Sequence, residues 1–205
     1  MSDDCIAVNS LYDYIAPELP GCPLAIVDQK INDVLRHFFE ETQCYLYEIS
    51  TIKLFEDQTD YEITDYPEQF DIARIYSVEK RCSEDSDDYF LLDPVNDYGI
   101  TQYDVVSLVT APTEDMDDGL RVKIVLSPKT TATCIPYNIY RDNYRVFASG
   151  VKSRCMMMSK APWADAQMAQ VYASLYEDGV SAQKIKIARG NLNTSTFFKP
   201  GFRFA

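Results

Sequence analysis

The hydrophobic period of this 205-residue chain changes twice, and each change narrows the folds open to it. From Leu24 to about Tyr47, Val27, Ile31, Val34, Leu35, Phe38 and Thr42 recur at steps of three and four, with Asp28, Lys30, Asp33, Arg36, Glu40 and Glu41 opposite them. That spacing predicts an amphipathic helix. From Ser50 to Ser127 the period is two, and candidate strands fall at 51–55, 61–64, 72–79, 89–92, 103–110 and 120–127. The last alternates Leu120, Val122, Ile124 and Leu126 against Arg121 and Lys123, with Asp118-Gly119 as a turn signal before it. After Pro128 the helical period returns in the stripe Tyr140, Tyr144, Phe147, Val151, Cys155 and Met158.

Local signals place the ends of these elements. Leu11, Tyr12, Tyr14 and Ile15 predict a brief helix ending at Pro17, and Glu18 to Pro23 is a breaker. Pro23 suits the first position of a helix, where its missing N–H costs nothing. Gly150 inside the later stripe costs about 1 kcal/mol relative to Ala, which implies a close helix crossing. Lys160-Ala161-Pro162-Trp163 breaks the pattern, and Asp165 is the N-cap expected for a last helix carrying Met168, Val171, Tyr172, Leu175 and Tyr176. Gly190 is the expected stop. The expected class is α+β: one N-terminal and two C-terminal bundle helices, an inserted antiparallel β-domain and an extended C-terminal tail. The expected divisions are 1–49 (arm and first helix), 50–136 (β-domain), 137–190 (last helices) and 191–205 (tail). No internal repeat is visible.

At 46% hydrophobic and 13% aromatic residues the chain can bury a sizeable core. Its fifteen Tyr and ten Phe suit interfaces as well as cores. The acidic start Met1-Ser2-Asp3-Asp4 is unlike a secretory signal, and no apolar stretch approaches the roughly 20 residues that span a bilayer. A soluble chain made in a cytoplasm is expected, without a membrane partner. Cys5, Cys22, Cys44, Cys82, Cys134 and Cys155 include no C-x-x-C pairing, so six reduced thiols are expected.

Charge is divided along the chain. Residues 1–118 carry 28 acidic and six basic side chains, a formal −22; residues 119–205 carry four acidic and 13 basic ones, a formal +9. No catalytic pattern competes with this feature. His37, the single histidine, sits on the polar face of the first helix beside Asp33, Glu40 and Glu41, and reads as a surface residue rather than a catalytic base. The loop Glu114 to Gly119 invites a calcium reading, but alignment on Gly119 puts Met116 and Val125 at ligand positions, and the pattern fails. No Gly-rich phosphate loop occurs. Neither a metal, a cofactor nor an enzymatic activity is expected. Arg141, Arg145, Lys152 and Arg154 line one helix and Lys184, Lys186 and Arg189 the next, yet the net charge of −13 opposes binding to a phosphate backbone. Solvated faces or a protein partner fit better.

The order of motifs resembles the head–tail adaptor (connector) proteins of tailed bacteriophages. The resemblance rests on Leu11 to Pro23, the helix Ile31–Thr42 with the strand after it, Ile135-Pro136, the helix through Gly150, Lys160 to Trp163, and the helix through Tyr172 and Gly179 to Gly190. It spans about residues 10–190, and the middle of the sheet matches in layout only. It implies a ring, usually of twelve copies, beneath the portal protein in the neck of the virion, assembled in the host cytoplasm. Such a ring extends the DNA channel and docks tail components such as nozzle, tube or fibre proteins, while DNA passes without specific binding. Acidic walls would repel phosphate and suit that passage.

A ring needs two different patches per subunit. The charge division offers basic Arg141, Arg145, Lys152 and Arg154 against acidic Asp85, Asp87, Asp88, Asp115, Asp117 and Asp118. The tail, with Phe197, Phe198, Lys199, Phe202, Arg203 and Phe204, is expected to be disordered in the monomer and to order on the portal or a neighbour. The alternatives are another tail or neck structural protein (a nozzle or tube component), a nucleic-acid-binding or DNA-mimic protein, and, more weakly, an enzyme centred on His37.

Overall fold

The computed structural model describes residues 5–83, 86 and 88–190. The fold is α+β, with antiparallel strand pairing throughout the described residues. An N-terminal arm comes first: β1 (Cys5–Ala7), a 3-10 turn at Val8–Leu11, α1 (Tyr12–Ile15) and a second 3-10 turn at Ala16–Glu18. The brief helix follows the sequence, but it ends at Ile15 and Pro17 lies inside the second 3-10 turn. The arm is anchored because Leu11, Ile15 and Leu19 are buried, each apolar side chain contributing about 1.5–3 kcal/mol.

α2 (Leu24–Thr42) buries the predicted stripe, with Phe39 added. Pro23 stands one position earlier than expected, at the N-cap with an extended backbone (φ −62°, ψ 134°). The helix ends where Gln43 turns left-handed, at φ 52°, and its N–H reaches the Phe39 carbonyl at 2.9 Å.

The period-two region forms β2 (Leu46–Leu54), β3 (Asp60–Glu62), β4 (Phe70–Arg81), β5 (Tyr89–Leu91), β6 (Tyr98–Gln102), β7 (Val105–Leu108) and β8 (Met116–Pro128). One sheet has the order β2-β8-β4-β5 and a smaller one β3-β7-β6. The strand expected at 103–110 is instead the return arm of a tight hairpin: β6 pairs with β7, and Tyr103-Asp104 make the turn. Asp118-Gly119 is not a turn before a strand but a bulge within β8. Leu54 pairs with Met116 and Ile52 with Leu120, so extra residues of β8 loop out between the pairs. Asp118 takes φ 52°, and a Cβ on Gly119 would lie 2.5 Å from Leu54 Cγ. Only glycine fits that approach.

β9 (Cys134–Pro136) pairs with β1 and leads into α3 (Tyr137–Met156); α4 (Ala166–Ala188) follows. Between the helices, Lys160 at φ 71° and Pro162 enforce the predicted break. Asp165 caps α4 as expected, its Oδ1 accepting from the N–H groups of Gln167 (3.1 Å) and Met168 (3.0 Å). Gly190, at φ 70°, closes the helix. Gly150 also does what its position implied. A Cβ there would stand 2.7 Å from Tyr176 Cδ2 on α4 and 3.0 Å from Val34 Cγ1 on α2.

One cluster of buried side chains runs from the helices into the sheet. Phe38 meets Phe147 edge-on at 4.8 Å, while Phe39 and Tyr45 pack on Phe70 of β4. The expectation of six reduced thiols is corrected. Cys5 and Cys134 form a disulfide across the β1–β9 pair, with Cα atoms 5.7 Å apart. No spacing rule finds two cysteines 129 positions apart whose strands are too short to show a period. No helix among the described residues is long and apolar enough to cross a membrane.

Candidate interaction surfaces

Folding brings many of the opposite charges of the two sequence segments together. Lys152, almost wholly buried, reaches Glu18 of the arm at 2.6 Å. The Tyr172 hydroxyl donates to the same carboxylate, and the Lys152 ammonium lies 5.1 Å from the Tyr172 ring centre. Lys184 on α4 pairs with Glu41 on α2. On the sheet, Arg121 and Lys123 of β8 sit between Glu48 of β2 and Glu79 of β4. These pairs are cross-strand neighbours, as the registers require. Part of the division read from the sequence is therefore neutralised within the chain.

Of the predicted basic group, Lys152 is committed to the arm. Arg141 pairs with Asp142 at 3.0 Å, and Asp142 also accepts from Lys186 at 2.8 Å. The hydrogen bond from Lys186 holds the Asp142 carboxyl below the usual carboxylate range. Arg145 rests on Tyr144, its Nε donating to that hydroxyl at 3.0 Å. Arg145 and Arg154 make no ion pair with the described residues.

Of the predicted acidic group, Asp115, Asp117 and Asp118 lie at the start of β8 and Asp88 just before β5. Arg81 Nη1 donates to the Asp117 carbonyl (3.2 Å), and Tyr89 donates to the Asp118 carbonyl (2.6 Å). Asp117 pairs with Lys53 at 2.8 Å, and that hydrogen bond lowers the Asp117 pKa. Asp115 Oδ1 accepts the Glu56 N–H at 2.8 Å, while the Asp88 carbonyl accepts the Cys82 N–H at 3.0 Å. Asp117 and Asp118 are thus tied to β4 and β5. No hydrogen bond or ion pair among the described residues joins them to the basic group on α3. Asp85, Asp87 and the tail residues Phe197, Phe198, Lys199, Phe202, Arg203 and Phe204 lie outside the described residues.

His37 is not the free surface residue the sequence suggests. It is half-buried, and its Nδ1 lies 2.8 Å from the Tyr176 hydroxyl, which donates to the Val34 carbonyl at 3.3 Å. Burial pushes the Tyr176 pKa up, so the hydroxyl stays protonated at neutral pH. The pair ties α2 to α4.

Sequence reasoning missed the largest exposed apolar features. α4 buries only Ala169, Tyr176, Val180 and Gln183. Met168, Val171, Leu175 and Ile185 are exposed on its other side, the last two at 50% and 52%. Their spacing puts them on one face. A signal was present: beside the polar stripe Gln167, Gln170, Ser174, Glu177, Ser181 and Lys184, the apolar arc of α4 is wider than one core-facing stripe needs. A second exposed set belongs to the strands and turns: Leu91, Val95, Ile100, Tyr103 and Val109.

An open groove of about 1030 Å³ lies between the end of α2, β4 and the β6–β7 turn. Its charges are mixed. Arg36 pairs with Glu40 at 3.6 Å, and the Ser127 hydroxyl donates to Glu40 at 3.4 Å. Among the described residues, no group of three or more His, Cys, Asp or Glu side chains is placed to hold a metal. No protein-family model matches the chain, and no curated protein matches it.

Proposed function

We propose that this chain is a structural head–tail adaptor of a tailed phage, a non-enzymatic subunit of a ring beneath the portal in the virion neck. In this reading the ring extends the DNA channel and docks tail components. The order of motifs resembles that family, and three helices that touch one another, with the sheet inserted in the chain between the first and second, suit its helical bundle and inserted β-domain. The observation that carries the reading is the outer face of α4. A long terminal helix exposing Met168, Val171, Leu175 and Ile185 while burying four residues is built to meet another surface. The exposed apolar set on the sheet side is a different surface of the same chain. Two unlike surfaces are what a closed head-to-tail ring requires.

The mass of the assembly tests this. The purified chain, weighed alone and then with the portal protein of the same phage, should give one discrete ring, or a ring that forms on the portal. Deleting residues 191–205 should abolish portal binding and leave the fold intact. A chain that stays monomeric with and without portal, or one that retains DNA strongly on its own, overturns the proposal.

A further inference from the structure

β1 has little of its own to hold it. It spans three residues, Cys5–Ala7, and forms with β9 a two-stranded pair separate from the two larger sheets. A pair this short is marginal in water. Opposite Cys5 in the register stands Pro136, which has no N–H to donate. One further backbone hydrogen bond extends the pairing, from the Val8 N–H to the Thr133 carbonyl at 3.0 Å. Ile6 and Val8 are only half-buried. The bodies on either side are held firmly. In β9, Ile135 and Pro136 are buried, Thr133 donates its N–H and its hydroxyl to Gln69 Oε1 at 3.0 and 3.1 Å, and the strand runs straight into α3. From Ser10 onward the arm is held as well: the Ser10 carbonyl accepts from the Tyr140 hydroxyl at 3.4 Å, Leu11, Ile15 and Leu19 are buried, and Glu18 takes Lys152. The Cys5–Cys134 disulfide therefore ties a weakly held end to a firmly held body.

We propose that the Cys5–Cys134 disulfide is a redox latch: reduction by a small thiol frees residues 5–9 from β9, while the arm from Ser10 onward and the rest of the fold stay in place. Cys5 is exposed and Cys134 half-buried, so Cys5 is the sulfur that an attacking thiolate reaches. The reductant's thiolate forms a mixed disulfide with Cys5, the bond to Cys134 breaks, and Cys134 leaves as a thiolate that takes up a proton. A second reductant thiolate then displaces Cys5, which is protonated in turn. One protein disulfide is reduced to two thiols, and two reductant thiols are oxidised to one disulfide. With the bond open, the short β1–β9 pairing does not offset the chain entropy gained by releasing the segment. Oxidation closes the latch again, because Ser10 and Leu11 keep Cys5 tethered near Cys134.

The test uses the full chain, exposed to oxidised glutathione, freed of it, and then held in native buffer with or without dithiothreitol. Mass spectrometry after alkylation reads the bond, and hydrogen exchange resolved by peptide reads the fold. Without dithiothreitol, Cys5 and Cys134 are expected as a linked peptide pair, with the amides of residues 5–9 protected. With it, both cysteines are alkylated and residues 5–9 lose their protection, while peptides of α2 and α3 keep theirs. Replacing dithiothreitol by oxidised glutathione restores the bond and the protection together. Cys134→Ser should leave residues 5–9 unprotected in either condition. The inference is overturned if Cys5 and Cys134 are free thiols in the oxidised sample, or if dithiothreitol leaves their bond intact in the folded chain. Protection of residues 5–9 that survives full reduction overturns it equally, as does loss of protection in α2 and α3 at the same step. The wild-type maps decide the matter whether or not the variant folds.

Discussion

α2 and α4 touch each other, yet they use their apolar residues in opposite ways. α2 sends seven of its 19 residues into the core, along one stripe. α4, with 23 residues, sends in four and turns Met168, Val171, Leu175 and Ile185 outward. The difference teaches that hydrophobic content and hydrophobic direction are separate quantities. A helix with one apolar stripe has a single destination for it. A helix apolar on two sides has one side left over after the core is filled, and in a water-exposed chain that side is where a partner adds stability.

The sharpest contrast comes from truncating one residue on each helix. Phe38→Ala removes a fully enclosed ring packed edge-on against Phe147, and should cost about 3–5 kcal/mol in a urea unfolding experiment. Leu175→Ala, on the exposed face, should stay within about 0.5 kcal/mol. Comparable losses at the two sites would show that α4's outer face is covered within the chain, and the comparison would fail.

A smaller effect concerns the polar tie between the helices. Tyr176→Phe keeps the packing against Gly150 and removes the hydroxyl that meets His37 and the Val34 carbonyl. The expected cost is about 0.5–1.5 kcal/mol, read as a lower unfolding midpoint. An unchanged midpoint would mean that packing alone joins α4 to α2.

Acid should release a third, weaker tie. The hydrogen bond from Lys184 holds Glu41 below the usual carboxylate range. Its stabilisation is therefore present above the unfolded glutamate value, about 4.3, and is lost as the pH falls through the lower folded value. Both side chains are nearly half exposed, so water and salt screen the pair, and at most about 1 kcal/mol is at stake. The stability difference between the wild type and Glu41→Gln should be present at pH 7 and shrink as the pH falls below the unfolded glutamate value. A difference independent of pH would assign the effect to something other than the ion pair.

What was legible in the sequence follows the range of the interactions. The stripe of α2, the Asp165 cap, the Lys160-Ala161-Pro162 break and the close approach at Gly150 are all written in residues near one another in the chain. The misses depend on distant neighbours. Cys5 and Cys134 meet through strands of three residues, too short to establish a period. The β8 bulge is defined by Leu54 on another strand, so Asp118-Gly119 alone reads as a turn. His37 sits on a polar stripe, and only the arrival of Tyr176 from 139 positions away half-buries it. Lys152 likewise reads as a surface base until Glu18 and Tyr172 enclose it. The charge division was visible, but its destination was not. Several of the charges pair within the fold, so in the proposed ring the apolar face of α4, rather than the basic one of α3, would be the main assembly surface.

That conclusion is tested most directly by native mass measurement of the wild type and of a Val171→Asp, Leu175→Asp variant over the same range of concentrations, alone and with portal. The account predicts a discrete ring for the wild type, and a monomer of nearly unchanged melting temperature for the variant, because both substituted positions already face water. A variant that assembles like the wild type would contradict it.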